Sequence, residues 1–237
     1  MAMIDLLLRR AEAAKIPLNR EQAEKFETYH RLLTEANAKF NLTRIPDDEA
    51  EAIDRNYLDC IAPQRFGLDG VTRAIDVGSG AGFPGVPLAI CMAQTRFVFL
   101  DSLGKRVDFL NDVVEKLGLN AEAVHLRAED GARKPELREA FDLATARAVA
   151  PLNLLAEYLL PFVRVGGTML AYKGPSLEEE LAQAANAFSV LGGRVVRTER
   201  AEIPGRDWDH RLCWIEKAAP TPDKYPRKAG KPEKNPL

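Results

Sequence analysis

The chain has 237 residues, of which 46% are hydrophobic, 29% charged and 7% aromatic, a profile that excludes a disordered or fibrous protein and fits a soluble globular domain with an appendage. Thirty-three basic residues stand against thirty-five acidic ones, so the formal charge is -2 and no chain-wide basic field advertises a nucleic-acid partner. No apolar run nears the roughly 20 residues that cross a bilayer, and charges at Asp5, Arg9, Arg10, Glu12 and Lys15 interrupt any secretory core; the expectation is a cytoplasmic protein with no membrane partner.

In chain order, residues 1–66 read as an N-terminal helical extension. Met1 to Ile16 predicts a short amphipathic helix ended by Pro17. Asn19 and Gln22 form a capping-box pattern before the apolar stripe Ala23, Phe26, Leu33, Ala36 and Phe40. Asp47, Asp48 and Glu49 suit the positive end of a third helix over about 48–61. From Thr72 the period changes to short β-rich runs alternating with helices, the pattern of a parallel α/β sheet over 67–217. Strands are expected at 73–77, 96–100, 123–127, 143–147, 167–172, 194–198 and 210–216, and helices at 85–92, 105–117, 152–162 and 177–191. Gly166-Gly167 and Gly192-Gly193 are expected at helix-to-strand junctions. Residues 218–237 carry five prolines and a net +3, which predicts an extended basic tail without regular structure that either tracks a phosphate backbone or wraps back over the domain, with Tyr225 stacking on a base or, the safer reading, packing. Cys60, Cys91 and Cys213 have no partner at metal-ligand spacing and read as buried thiols.

The most informative stretch is Asp76-Val77-Gly78-Ser79-Gly80-Ala81-Gly82-Phe83-Pro84-Gly85, a strand entering a glycine loop before a helix. Glycines let the chain turn sharply and let a ligand approach the backbone. Gly80, Gly82 and Gly85 match a dinucleotide fingerprint, with Asp101 following 21 residues after Gly80. Asp76, however, puts a carboxylate where a dinucleotide would bring phosphates, and suits a cationic ligand instead. S-adenosylmethionine has a sulfonium and an ammonium but no phosphate, and the loop resembles the cofactor loop of Rossmann-like methyltransferases. Asp101, ending the second strand, is placed to accept ribose hydroxyls, and Glu129 and Asp130, after the third, to meet adenine.

These words, with Asn41-Leu42-Thr43-Arg44-Ile45, Asp101-Ser102-Leu103-Gly104-Lys105-Arg106, Arg147-Ala148-Val149-Ala150 and Lys173-Gly174, resemble the ribosomal RNA small subunit methyltransferase G family, also called glucose-inhibited division protein B. The resemblance implies a Rossmann-like S-adenosylmethionine-dependent methyltransferase sheet and an rRNA (guanine-N7)-methyltransferase that yields S-adenosylhomocysteine. It implies cofactor contacts at Gly78, Phe83, Asp101, Ser102, Leu103, Ala128, Glu129 and Arg147; Ser79 and Gly80 join them from the loop reading. It implies a partner in 16S rRNA, within the small ribosomal subunit or an assembly precursor, and a monomeric enzyme is expected. Asn56 and Cys60 stand where the resemblance leads one to expect histidine and serine.

Guanine N7 carries an in-plane lone pair and no hydrogen, so attack on a sulfonium methyl is a direct displacement that needs no general base. Catalysis then rests on holding N7 in line with the methyl carbon. No cysteine follows a proline, as it does in cytosine C5 enzymes, and no residue is assigned as catalytic. Arg147 and Lys173 are orienting candidates, with an ion pair to Asp101 or Glu129 as the structural alternative for Arg147. Lys173, Arg211, Lys224, Arg227 and Lys228 are RNA-binding candidates, and His30, His125 and His210 are assigned neither metal nor acid–base triad. Deleting residues 218–237 is expected to weaken RNA binding more than cofactor binding. Three other readings stay open: a nicotinamide-type oxidoreductase, a cofactor-bound assembly factor that transfers no methyl group, and a methyltransferase acting on a small molecule or protein.

Overall fold

The computed structural model describes residues 3–147 and 149–237. Met1 and Ala2 of the first expected helix, and Ala148 of the Arg147–Ala150 word, lie outside the described residues. Seven strands, β1 (Arg73–Val77), β2 (Arg96–Asp101), β3 (Ala121–His125), β4 (Phe141–Arg147), β5 (Val163–Lys173), β6 (Gly193–Arg200) and β7 (Arg211–Lys217), form one sheet in the order β3-β2-β1-β4-β5-β7-β6. β7 is antiparallel to both neighbours, and the other pairings are parallel. The strand order reverses between β1 and β4, and in open sheets ligands sit outside the carboxyl ends of the strands at such a point.

The helices are α1 (Met3–Ala13), α2 (Arg20–Asn37), α3 (Glu49–Ala52), α4 (Asp59–Ile61), α5 (Gly85–Cys91), α6 (Gly104–Leu117), α7 (Ala128–Gly131), α8 (Leu152–Leu159), α9 (Leu177–Leu191) and α10 (Lys231–Lys234). The Asn19 capping box is present, with Asn19 Oδ1 accepting from the Gln22 amide at 2.9 Å and Gln22 Oε1 from the Asn19 amide at 2.9 Å. Phe26, Tyr29 and Leu33 of α2 are fully buried and share a core with Ala74, Phe97 and Phe99 of the sheet. The helical extension is therefore packed onto one face of the sheet. The opposite face is covered by α8 and α9, with Tyr225 joining that core.

The expected helix over 48–61 is interrupted: a π-helical turn, Ile53–Leu58, joins α3 to α4. Periodicity cannot register one residue added to a turn, and such turns often mark functional sites. β3 begins and ends two residues before the expected span because Leu126 and Arg127 leave the sheet to start α7. β5 starts at Val163, so Gly166 and Gly167 lie inside a strand rather than at its head; Gly166 has φ +82° beside the register shift between β4 and β5.

The tail is not extended. Arg138 donates to the Thr221 and Tyr225 carbonyls, and Lys217 Nζ donates to Thr221 Oγ1 at 2.6 Å and pairs with Glu139 at 3.0 Å. Arg227 pairs with Glu157 of α8 at 2.6 Å, and a helical turn forms at α10. Proline tolerates the first turn of a helix, where its missing N–H costs nothing, and Pro232 is there.

Candidate cofactor and substrate site

The glycine loop folds because its glycines take backbone angles closed to other residues: φ is +71° at Gly78, +58° at Gly80 and +101° at Gly82. At Gly78 a side chain would also meet Val149 at 3.0 Å. Six of the loop's amides are already committed, those of Gly78, Ser79, Gly80, Gly82, Phe83 and Gly85. Those of Gly78 and Ser79 donate to the Leu100 carbonyl at 2.8 and 3.1 Å, and that of Gly80 donates to Asp101 Oδ2 at 2.8 Å. The amides of Gly82 and Phe83 donate to Ser79, and the Gly85 amide to Asp76 Oδ2 at 3.2 Å. A pyrophosphate would need these N–H groups free, so the literal dinucleotide fingerprint does not form a phosphate cradle here.

Asp76 lies beneath the loop rather than facing a ligand. It is fully buried, its Oδ1 has no hydrogen-bond partner among the described residues, and burial pushes its carboxyl up to about 7. Ser79 is turned inward as well, its Oγ donating to the Asp76 carbonyl at 2.9 Å. Phe83 packs at 5.7 Å from Tyr29 and 6.2 Å from Tyr57, and its ring lies 4.9 Å beneath the Arg147 guanidinium. Tyr29 holds the loop from α2, donating to the Ala81 carbonyl at 2.6 Å.

A cavity of ≈ 130 Å³ opens at the carboxyl ends of β1, β2 and β3, and its lining includes Gly78, Asp101, Ser102, Ala128, Glu129 and Val149. Asp101 is 2% exposed and accepts from Gly80 and from the Leu103 amide at 2.9 Å, which fixes its carboxylate at the lip. Leu103 itself is exposed beside it. Asp101, Glu129 and Glu233 supply three carboxylates to this cavity against two cations, Arg127 in its lining and Arg106, whose Nη1 lies 3.6 Å from Asp101 Oδ2. That donor set fits a positively charged adenosine cofactor and opposes a phosphate-bearing one. Glu233 comes from the tail, as does the Gly230 amide that donates to Glu129 Oε1 at 3.3 Å.

A second cavity, of ≈ 410 Å³, lies on the other side of the β4 end and is lined by Thr43, Arg44, Asn56, Asp59, Arg147 and Lys173 among others. Arg147 does not pair with Asp101 or Glu129; its Nη1 lies 3.3 Å from Asp59 Oδ2 and donates to the Arg55 carbonyl at 2.9 Å. Asp59 Oδ1 is also 2.8 Å from His210 Nδ1. His210, which the sequence leaves without an acid–base partner, thus has one 151 residues away. No local spacing announces that pair; the only signal is an acidic residue on the apolar face of a helix.

Lys173 lines the same cavity, 2.5 Å from Glu180 and 3.1 Å from the Ala150 carbonyl. Arg211 is there too, held by Asp209 at 2.5 Å. The other three basic candidates lie in the tail. Lys224 is exposed over the Tyr225 ring and Lys228 is exposed, whereas Arg227 is committed to Glu157, which is 1% exposed. Arg227 is a structural cation rather than a free contact for RNA. Cys60 and Cys213 are buried, and burial pushes the Cys213 and Cys91 thiols up to about 12.

A seven-stranded sheet with an antiparallel β7, a committed glycine loop and an acidic cavity at the switch point define a Rossmann-like methyltransferase. Solved structures with this fold include an O-methyltransferase from Bacillus cereus in complex with SAH (TM-score 0.59, 15% identity, 91% of this chain and 100% of that one). A geranyl diphosphate methyltransferase in complex with GPP and sinefungin matches at TM-score 0.54 and 12% identity, over 85% of this chain and 100% of that one. At such identities the likeness is one of fold. The rRNA small subunit methyltransferase G family model matches residues 22–207. Relatives named ribosomal RNA small subunit methyltransferase G include one from Clostridium perfringens (strain 13 / Type A), 46% identical over 241 residues and the whole of both chains. Another, from Lactobacillus johnsonii, is 45% identical over 93% of each. The chain belongs to the rRNA small subunit methyltransferase G family.

Proposed function

We propose that the protein transfers the methyl group of S-adenosylmethionine to N7 of one guanine in 16S rRNA, presented by the small ribosomal subunit or an assembly precursor, and that it acts in the cytoplasm as a monomer. The carrying observation is the pair of cavities flanking the carboxyl end of β4, acidic around Asp101 and Glu129 and rich in cations around Arg44, Arg147, Lys173 and Arg211. Gly78, Asp101, Ala128 and Glu129 would hold the cofactor, which supplies an electrophilic methyl on a sulfonium. Arg147, restrained by Asp59, orients the acceptor, and Arg44, with no acid paired to it among the described residues, steers phosphates toward the mouth, where Lys173 and Arg211 add charge partly offset by Glu180 and Asp209. N7 has no proton to lose, so the chain needs to supply position rather than a base. A-form RNA hides N7 in a deep, narrow groove, so the guanine must lie in a loop or an opened region.

One observation favours a second reading. The Asp59–His210 pair has the form of an oriented base, which an N–H or O–H nucleophile would use. Incubation with labelled S-adenosylmethionine and unmethylated small subunits, and in parallel stripped 16S rRNA, followed by nucleoside mass spectrometry, separates the two. The N7 reading expects 7-methylguanosine and a His210→Gln variant within about tenfold of wild type. Another methylated nucleoside, with His210→Gln slowed roughly 10²- to 10⁴-fold, would establish the base-dependent reading.

A further inference from the structure

The acidic cavity at the ends of β1, β2 and β3 measures ≈ 130 Å³, below the lower end, about 300 Å³, of sites that hold small molecules. An adenosine-sized ligand therefore enters only if part of the wall moves. One part of that wall, Glu233, belongs to the tail. Glu233 is exposed, and its Oε1 accepts at 3.1 Å from the hydroxyl of Tyr158, which lines the same cavity. Nearby, the Gly230 amide donates to Glu129 Oε1 at 3.3 Å.

The tail is held in two different ways. Up to Arg227 it is fixed by charged side chains: Arg138 holds the Thr221 and Tyr225 carbonyls, Lys217 holds Thr221, and Arg227 pairs with buried Glu157. Over 228–237, among the described residues, no ion pair ties the chain to the domain. Its attachments there are the two hydrogen bonds just given, a third from Arg227 Nη1 to the Asn235 carbonyl at 2.8 Å, and apolar packing of buried Pro232 and partly buried Leu237. Gly230, with φ +78°, stands between the anchored and the lightly held parts, the kind of element-terminal position that absorbs a lid's movement.

We propose that residues 228–237 form a flap over the cofactor, hinged between Arg227 and Gly230, which opens for S-adenosylmethionine to enter and S-adenosylhomocysteine to leave and which carries Glu233 as a cofactor-binding carboxylate. The inference rests on the S-adenosylmethionine reading above and adds to it a binding residue and a gate. The amino, ammonium and hydroxyl groups of the cofactor are donors and a carboxylate is an acceptor only, so Glu233 meets them as Asp101 and Glu129 would. Contacts made only with the flap shut draw it toward the closed state when ligand is bound, and release then waits for opening.

The test measures association and dissociation rates of S-adenosylhomocysteine, with Tm, for the full chain, for Glu233→Gln and for a chain lacking 228–237, which keeps the Arg227–Glu157 pair. Amide hydrogen exchange over 230–235 is read in the full chain with and without saturating S-adenosylhomocysteine. The expected result is dissociation about tenfold faster or more in the shortened chain with association no slower, a rise of about threefold in Glu233→Gln, and exchange slowed at least about tenfold by ligand. Unchanged dissociation in both variants overturns the proposal. So does tighter binding by the shortened chain, which would make 228–237 a plug that competes with the cofactor, and so does exchange that ligand leaves unaltered, which would make the segment a fixed wall. Glu233→Gln changes an exposed position, so its rates and the exchange data decide the matter even where the deletion lowers Tm sharply. A full chain that binds no S-adenosylhomocysteine fails the underlying cofactor reading before any variant is made, so the two failures are told apart.

Discussion

Arg147 reaches from the carboxyl end of β4 to Asp59 of α4, Nη1 to Oδ2 3.3 Å, and thereby ties the helical extension to the end of the sheet at the ≈ 410 Å³ cavity that both residues line. Asp59 is 4% exposed and holds Arg147 and His210 at once, so it fixes two groups of the cation-lined cavity wall.

Asp59→Asn keeps the shape but removes the charge that restrains Arg147. The variant should remain folded, lose about 1 to 3 kcal/mol of stability in chemical denaturation, and lose transfer activity by tenfold or more. Its S-adenosylhomocysteine affinity, measured by calorimetry, should change far less, because Asp59 lines the cation-lined cavity and not the acidic one. A variant with weakened cofactor binding and intact turnover of saturated enzyme would place the Asp59–Arg147 pair on the cofactor side.

Asp101 anchors the loop with both of its oxygens, and in the proposed function the same carboxylate would also meet the cofactor. Asp101→Ala leaves the Gly80 and Leu103 amides without their acceptor, so a loss of about 1 to 3 kcal/mol of stability should accompany at least a tenfold fall in S-adenosylhomocysteine affinity. Unchanged affinity in a folded variant would remove Asp101 from the site and leave it as a loop anchor.

Much of this architecture is legible in the sequence because its causes are local. The Asn19 capping box, the 3.6-residue period of α2 and α9 and the β-branched and aromatic residues of β1 and β2 each act within a few residues, and the corresponding elements fall where expected. The glycine loop and Asp101 are legible for the same reason. What escapes is long-range or subtler than a period. Asp59 and His210 meet across 151 residues, Arg147 finds Asp59 rather than a strand-end acid, and one π turn sets Asn56 in the wall of a cavity. For the tail, packing of Tyr225 is one of the sequence's own alternatives, but its anchors are not legible: proline content forbids long helices without naming partners, and Glu157, Arg138 and Lys217 lie far from the tail or before it in the chain.

That packing reverses the order of effects expected from the tail's charge. Deleting residues 222–237 strips Arg227 from buried Glu157 and removes the Gly230 and Glu233 contacts at the acidic cavity. An uncompensated buried carboxylate costs about 3 to 5 kcal/mol, so Tm should fall by several degrees, and S-adenosylhomocysteine affinity should fall with it. The paired substitution Lys224→Ala and Lys228→Ala, which removes only exposed tail charge, should leave both unchanged. A truncated protein with wild-type Tm and cofactor affinity but weakened rRNA binding would restore the tail to an RNA-contacting role.

Asp76 should leave a signature in the pH dependence of stability. Burial raises its carboxyl to about 7, the Gly85 amide and Arg147 oppose that rise, and Asp101 adds to it. In the unfolded chain the same group titrates near its ordinary value of about 4. Between those values the folded state binds more protons than the unfolded one, so this group's contribution falls as pH rises from about 4 to about 7 and then levels off. Asp76→Asn cannot ionise, and its Oδ1 can still accept from Gly85. The difference in unfolding free energy between variant and wild type should therefore shift in the variant's favour across that interval, read from urea denaturation at half-unit pH steps. A difference constant from pH 4.5 to 8 would mean that Asp76 titrates in the folded protein as it does in the unfolded chain, and that the loop above it is open enough to hydrate the carboxylate.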